Sequence, residues 1–131
     1  MPRLSILIVD DFEEIQILVA HWLRSRGHQV TCASTGEAAI KLLEQERFDL
    51  VITDVMMPDG DGLDVIREFK HQRSPTRVLA ITGGGKYVTS AECARLAAEL
   101  GADAIVLKPF DEQQFTAGFE HAISPTNRLI Q

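Results

Sequence analysis

Five polar residues with complementary chemistry end or directly follow four short apolar segments of the sequence. Asp10 and Asp11 follow the first segment, and Asp54 ends the third. Thr82 ends the fourth segment and Lys108 ends the fifth. Mg²⁺ is usually held by one or two carboxylates, waters and phosphate oxygens, and an ammonium or hydroxyl group can hydrogen-bond a phosphoryl group. The set therefore suits phosphoryl transfer onto a carboxylate beside a divalent cation.

The apolar segments that position these residues are typical of buried strands. They are short, continuously apolar and rich in branched side chains, as expected for strands covered on both faces of a parallel sheet. The predicted strands are residues 4–9, 29–33, 50–53, 78–81 and 104–107. The carboxyl ends of parallel strands lie along one edge of the sheet, where open α/β folds bind ligands. The five polar residues should therefore meet at that edge.

Segments with helical periodicity separate the predicted strands. The predicted helices are residues 13–26, a helix that opens at 34–37, residues 63–70, a helix that opens at 89–92 and a last helix after residue 111. Ser34 and Thr89 each stand three residues before a glutamate, which is the spacing of a capping box, and Asp111 can cap the last helix. Gly27 and Gly101 are placed to end the first and fourth helices.

Five strand–helix alternations predict an α/β domain with a doubly wound, five-stranded parallel sheet. We expect the strand order 2-1-3-4-5, which makes strands 1 and 3 neighbours at a topological switch point. This order forces Asp10, Asp11 and Asp54 together. Two unit charges ~4 Å apart repel by about 4 kcal/mol at the effective dielectric near a protein surface. Such a cluster is costly unless a cation relieves it or one acid is protonated.

Length and composition agree with one ordinary globular domain. The chain has 131 residues, of which 45% are hydrophobic and 24% charged. The net charge of −6 does not favour nucleic acid or an anionic membrane as a partner. No apolar run approaches the ~20 residues of a membrane span. Cys32 and Cys93 are far apart and form no metal-ligand pair, which is typical of reduced thiols in a cytoplasmic protein.

The ordered set of motifs resembles the receiver domains of two-component response regulators. In chain order the motifs are Asp10-Asp11 after LSILIV, residues 54–62 (DVMMPDGDG), Thr82-Gly83 and Lys108-Pro109-Phe110. The resemblance runs from about residue 4 to residue 123. It implies a flavodoxin-like (βα)5 fold, and we expect the receiver domain to occupy residues 1–124, with residues 125–131 as a C-terminal tail.

The resemblance implies a role for each residue of the set. Asp54 would be the phosphoacceptor, taking its phosphoryl group from a sensor histidine kinase, a phosphotransfer protein or a small phosphodonor. Lys108 would contact the phosphoryl group, Thr82 would move to hydrogen-bond it, and the Lys108–Pro109 bond would be cis. Mg²⁺ would be held by Asp11 directly, by Asp10 through water, and by Asp54 and the Met56 backbone carbonyl.

The same resemblance implies a signalling module, which catalyses only its own phosphorylation and slow dephosphorylation. Phosphorylation would switch a surface that binds a downstream protein, without direct contact to nucleic acid or membrane. The chain would be a stand-alone regulator or a part of a larger one. The sequence identifies neither the kinase nor the target.

Two positions depart from the usual receiver pattern. Many receivers carry Tyr or Phe three residues before the lysine, and that ring moves together with the threonine, but this sequence has Ile105. This sequence therefore lacks the ring on which that coupled movement depends. Thr82 and Lys108 are also 26 residues apart, a wide gap, and we expect the extra length in the glycine-rich residues 83–87. That loop is either a tolerated insertion or a gate beside the site.

Other functions of the motifs fit less well. A phosphatase of the haloacid-dehalogenase type needs a second acid two residues after its nucleophilic aspartate, where this chain has Met56. Residues 59–62 lack the remaining ligands of a calcium loop, and residues 83–87 lack the spacing of a Walker motif. A flavin module would have its phosphate repelled by three carboxylates. A degenerate receiver is disfavoured because every charged position of the motif set is present.

Overall fold

The computed structural model describes residues 2–57, 62–71, 76–83 and 89–124. Strands and helices alternate along the chain. The strands are β1 (Ser5–Val9), β2 (Gln29–Ala33), β3 (Leu50–Asp54), β4 (Arg77–Thr82) and β5 (Ala104–Leu107). The helices are α1 (Glu13–Ser25), α2 (Gly36–Gln45), α3 (Gly62–His71), α4 (Ser90–Glu99) and α5 (Glu112–Ile123). The predicted element types are confirmed, with bounds that shift by one or two residues.

All five strands are parallel and lie in the order β2-β1-β3-β4-β5. This confirms the predicted α/β fold and its strand order. β1 pairs with β3 from Ile6 opposite Leu50 to Val9 opposite Thr53. The register places the residues that follow Val9 beside Asp54, the last residue of β3.

The sheet separates two apolar clusters because successive side chains of a strand point to opposite faces. Ile6 and Ile8 of β1 belong to the cluster under α1 and α5, which also contains Phe115. Leu7 and Val9 belong to the cluster under α2, α3 and α4. All four β1 side chains have no exposed surface, so the strand that carries the acidic pair is fixed on both faces.

Helix ends largely follow the predicted signals. Gly27 (φ +90°) and Gly101 (φ +104°) take the left-handed conformation just beyond α1 and α4. Thr89 accepts a hydrogen bond from the backbone N–H of Glu92, and Asp111 forms a reciprocal capping box with residue 114. The predicted Ser34 cap of α2 was wrong by one residue. Thr35 is the N-cap, because Thr35 Oγ1 lies 3.1 Å from the backbone N–H of Ala38.

Two sequence predictions concern residues beyond this description. Residues 84–87 of the predicted glycine-rich loop and the predicted tail, residues 125–131, lie outside the described residues. Among the described helices, none is both long enough and apolar enough to span a bilayer.

Candidate functional site

Three carboxylates meet at the carboxyl edge of the sheet, as the strand order predicts. Asp10 and Asp11 follow β1, and Asp54 ends the neighbouring β3. One oxygen from each of the three side chains lies within 4.8 Å of the other two. Asp10 and Asp54 are only 1% and 4% exposed. Two buried acids and a third at their rim thus share one small volume.

Backbone N–H groups two residues along the chain orient both buried carboxylates. Phe12 N donates to Asp10 Oδ1 over 2.9 Å, and Met56 N donates to Asp54 Oδ1 over 3.3 Å. Gln16, from the first turn of α1, holds the backbone beside them by donating to the carbonyl of Asp10 over 2.6 Å. The acidic side chains are therefore fixed by the start of α1 and by the turn after β3.

Lys108 brings a cation to two of the three carboxylates. Its Nζ lies 3.2 Å from Asp10 Oδ2 and 3.2 Å from Asp54 Oδ2. The backbone N–H of Lys108 donates to the carbonyl of Thr82 over 2.9 Å, which links the ends of β5 and β4. The Lys108–Pro109 peptide bond is cis, as the resemblance implied. The ammonium therefore sits between the acidic pair and Asp54.

The charges of this site do not balance. Burial raises the pKa of Asp54 to about 6, with the charge of Lys108 opposing that effect and the charge of Asp10 adding to it. Burial likewise raises the pKa of Asp10, although the Phe12 N–H and Lys108 oppose the rise. Among the described residues, one ammonium serves three clustered acids. The arrangement favours a further cation or a proton.

The oxygen chemistry of the cluster fits Mg²⁺. Asp11 Oδ1 is buried, and among the described residues it has no hydrogen-bond partner. A buried oxygen without a donor is costly unless it meets water or a cation. Hard divalent cations prefer carboxylate and carbonyl oxygens. The residues present therefore match such an ion, with Asp10, Asp11 and Asp54 as the side chains able to hold it.

The remaining predicted site residues lie at the same edge. Thr82 is fully buried as the last residue of β4, opposite Leu107 of β5. Met56 is 38% exposed, two residues after Asp54. Gly83 follows Thr82 and lies against Lys108, since a methyl group at Gly83 would come 3.1 Å from Lys108 Cβ. The small residue leaves room for the lysine chain to cross the ends of β4 and β5.

Comparison with known proteins agrees with this geometry. The sequence matches the family model described as "Response regulator receiver domain" over residues 6–120. The chain belongs to that family. Receiver domains of two-component systems are phosphoacceptor signalling modules that receive phosphoryl groups from histidine kinases and bind Mg²⁺ in an acidic pocket.

Individual relatives of this receiver are transcriptional regulators and a chemotaxis protein. The alkaline phosphatase synthesis transcriptional regulatory protein PhoP of Bacillus subtilis is 37% identical over 86% of the chain, which spans 45% of that protein. The DNA-binding transcriptional regulator NtrC of Azospirillum brasilense is 31% identical over 95% of the chain, which spans 25% of NtrC. This receiver thus spans less than half the length of these relatives.

A solved structure shares the fold over nearly the whole length of this chain. The chemotaxis protein CheY4 of Vibrio cholerae superimposes with a TM-score of 0.81 and 26% identity, covering 93% of this chain and all of CheY4.

Two residues near the receiver's acidic pocket were missed by the sequence analysis. Phe12 is 54% exposed, and its ring centroid lies 5.2 Å from Lys108 Nζ. Gln16 donates to Asp10 and also to Ser34 Oγ, over 3.1 Å. The sequence could have marked Phe12 as unusual. Phenylalanine offers no capping oxygen at a helix N-cap, where Ser, Thr, Asp or Asn is preferred. Gln16 could not be marked in this way, since glutamine is ordinary inside a helix.

Proposed function

We propose that Asp54 is the phosphoacceptor of this receiver, and that Asp10, Asp11, Asp54 and the Met56 backbone carbonyl hold Mg²⁺ beside it. The observation that carries the proposal is the single cluster in which three carboxylates lie within 4.8 Å and Lys108 Nζ lies 3.2 Å from Asp54 Oδ2. Among the three acids, Asp54 alone lies within a strand. It is the last of the five buried residues of β3.

The chemistry proposed for Asp54 is nucleophilic substitution at phosphorus. With acetyl phosphate as donor, a carboxylate oxygen forms a bond to phosphorus while the bond from phosphorus to the acetate oxygen breaks, and acetate leaves. A pKa of about 6 leaves most of the Asp54 side chain ionised at pH 7, so the nucleophile is available. Bound Mg²⁺ supplies positive charge to the phosphoryl oxygens.

Lys108 and Thr82 are proposed to recognise the phosphoryl group after transfer. Lys108 Nζ already lies at Asp54 Oδ2, so it can donate to an oxygen of a phosphoryl group attached there. Thr82 ends the strand next to β3 in the sheet and carries a hydroxyl group. A shift of Thr82 towards the new oxygens would repack the chain that follows β4, which includes α4.

The proposed physiological donors are a sensor histidine kinase or a phosphotransfer protein in the cytoplasm. The proposed output is contact with another protein, whether the receiver acts alone or within a longer regulator. We propose an output that differs from the usual aromatic switch, because the residue at that position is Ile105. It is half-buried, packs on the α2–α4 side of the sheet and lines a groove of about 420 Å³ between β5 and α5.

Intact-protein mass spectrometry after incubation with acetyl phosphate tests the proposal. Wild type should gain one phosphoryl group in the presence of Mg²⁺ and none after its removal. Asp54→Asn should gain none, because the amide is a poor nucleophile. Asp64→Asn is the matched control, since Asp64 is an exposed aspartate whose partner is Arg67 on the same helix.

Two results would contradict the proposal. An adduct of equal size on Asp54→Asn would place the acceptor elsewhere. Failure of wild type to form an adduct, under conditions that label another receiver, would exclude acetyl phosphate as a donor and remove the main support for a working acceptor.

A further inference from the structure

Phe12 occupies a position that neither helix capping nor burial explains. It is the N-cap of α1 but makes no side-chain capping hydrogen bond. Its ring is 54% exposed at the rim of the acidic pocket, although exposing a large apolar side chain gains no hydrophobic stabilisation. Its backbone N–H does have a role, since it donates to Asp10 Oδ1 over 2.9 Å. The ring needs a separate explanation.

The ring of Phe12 faces the ammonium of Lys108. Lys108 Nζ lies 5.2 Å from the ring centroid, inside the ~6 Å range of a cation–π interaction. The same Nζ is 3.2 Å from both Asp10 Oδ2 and Asp54 Oδ2, and the lysine side chain is only 19% exposed. The ammonium therefore has three neighbours that attract it, two charged and one neutral.

Lys108 and a divalent cation compete for the same carboxylates. The acids that pair with Lys108 are two of the three that form the candidate metal cluster. When those carboxylates ligate a divalent cation, their charge is neutralised and the cation repels the ammonium. Lys108 must then move away from them without leaving the pocket, because the proposed function needs it beside a phosphoryl group. An uncharged group that attracts a cation, placed next to the acids, meets this requirement.

We propose that the Phe12 ring is this group. Phe12 is thus a positioning residue, whose ring holds the Lys108 ammonium when the carboxylates bind Mg²⁺. The proposal rests on the function proposed above for the acidic cluster. A phenyl face attracts a cation through its quadrupole and adds no charge that would compete for Mg²⁺. The Phe12 ring thus lowers the cost of displacing the ammonium, and it favours metal binding without touching the metal.

Magnesium titration of the purified protein, followed by calorimetry or by backbone amide NMR, tests the proposal without any phosphoryl donor. Phe12→Leu keeps an apolar side chain and the backbone N–H but removes the π face. Its Mg²⁺ dissociation constant should rise by up to about two- to fivefold, the range for the whole of one cation–π contact at an exposed site, because the part of the contact already made without the metal cancels. Phe12→Tyr keeps the ring face and should match wild type. Ile17→Ala, an exposed truncation elsewhere on α1, should also match wild type.

A double-mutant cycle separates the proposed role from simple packing. In a Lys108→Ala background the ammonium is gone, so Phe12→Leu should leave the Mg²⁺ dissociation constant unchanged. An equal effect in both backgrounds would show that Phe12 acts through the loop and not through Lys108. An unchanged or tighter constant for Phe12→Leu alone would also overturn the proposal.

The cycle distinguishes failure of this inference from failure of the proposed function. If wild type binds Mg²⁺ and Phe12→Leu binds it equally well, only the role of Phe12 is wrong. If wild type does not bind Mg²⁺ at millimolar concentrations, the metal site itself is wrong and the role of Phe12 fails with it. The Lys108 ε-proton shifts give an independent readout, because the ring current of Phe12 should move them further as Mg²⁺ is added.

Discussion

Buried aspartates lie at both edges of the sheet, the one at the amino ends of the strands and the one at their carboxyl ends. Their charges are paired differently at the two edges. At the amino edge, Asp103 precedes β5, and its Oδ2 lies 3.1 Å from Lys70 Nζ and accepts a hydrogen bond from Val78 N over 2.8 Å. Its own N–H donates to the carbonyl of Val78 over 2.8 Å. At the carboxyl edge, Asp10 and Asp54 share one ammonium, and the pKa of each is raised by burial.

The difference shows how one fold uses the same side chain for stability and for function. Asp103 has both Lys70 and a backbone N–H as partners, so the burial of its charge is compensated and it ties β4 to β5. In the described part of the chain, the cluster at the other edge has more negative than positive charge, so repulsion remains that a bound cation would relieve. A mutation that removes a carboxylate should therefore have opposite effects at the two edges.

The largest expected effect on stability is that of Asp103→Ala. This change leaves Lys70 and the N–H of Val78 without their acceptor, and breaking a buried charged pair typically costs 3–5 kcal/mol. Because Lys70 is 28% exposed, we expect a loss of about 2–3 kcal/mol in the free energy of unfolding, measured by urea denaturation. Asp64→Ala, which breaks an exposed pair on α3, should cost less than about 1 kcal/mol. Equal losses for both variants would remove the distinction between a structural and a solvated aspartate.

Magnesium should stabilise the protein through the carboxyl edge only. At one hundred times its dissociation constant, Mg²⁺ should raise the free energy of unfolding by about 2.7 kcal/mol, since a ligand that binds only the folded state stabilises it by mass action. Asp103→Ala should keep this increment although it starts from a lower stability. Asp11→Ala should lose it, because Asp11 Oδ1 is a buried oxygen proposed as a direct ligand. A full increment in Asp11→Ala would exclude that residue from the metal site.

Without Mg²⁺, Asp11→Ala should be as stable as wild type or more stable by up to about 1 kcal/mol. The substitution removes one of three clustered negative charges. Asp11 lies at the partly exposed rim, where repulsion ~4 Å from another charge is closer to the ~1 kcal/mol of water than to the ~4 kcal/mol near a protein surface. Chemical denaturation in the presence of a chelator measures this difference. A loss larger than 1 kcal/mol would mean that Asp11 supports the fold as Asp103 does, and the contrast between the edges would fail.

The strand order and the position of the acidic cluster could be predicted from the sequence because both follow from chain-level rules. Continuous apolar segments fixed the strand positions, right-handed crossovers restricted the order, and the carboxyl ends then had to meet. Asp10, Asp54 and Lys108 lie together for that reason. The cap of α2 could not be placed to one residue, because Ser34 and Thr35 both offer a hydroxyl group and only the backbone conformation decides between them.

The contacts of Phe12 and Gln16 depend on information that no periodic pattern carries. The distance from the Phe12 ring to Lys108 is set by side-chain rotamers and by the paths of two separate loops. The amide of Gln16 reaches the Asp10 carbonyl because α1 begins at a particular angle to β1. The pairing of Asp103 with Lys70 is likewise a tertiary contact between α3 and the start of β5. These contacts explain the different chemistry of the two edges, and only the folded structure shows them.

The smallest expected effect concerns the amino edge, where one buried group is incompletely paired. His28, just before β2, is 4% exposed, and its Nδ1 accepts a hydrogen bond from Leu4 N over 3.1 Å. Its Nε2 is buried and has no hydrogen-bond partner among the residues that the structure describes. Burial, aided by the charge of Arg26, lowers the pKa of His28 below its ordinary value of 6.5. The neutral ring is therefore the form that the fold accepts.

This pKa shift makes stability depend on pH with a definite sign. Between the folded and unfolded pKa values of His28, the unfolded state binds more protons, so the free energy of unfolding should fall as the pH drops below about 6.5 and level off below the folded pKa. One group can contribute a slope of at most about 1.4 kcal/mol per pH unit. Asp54 acts in the opposite direction, because a raised carboxyl pKa makes the folded state hold the extra proton below about pH 6.

His28→Asn keeps an acceptor for Leu4 N but cannot titrate. Stability is measured by urea denaturation at several pH values, and subtracting the values of the variant from those of wild type cancels the contribution of the carboxylates. The difference should have a positive slope with pH below 6.5, and a flat difference would show that His28 has the same pKa in both states.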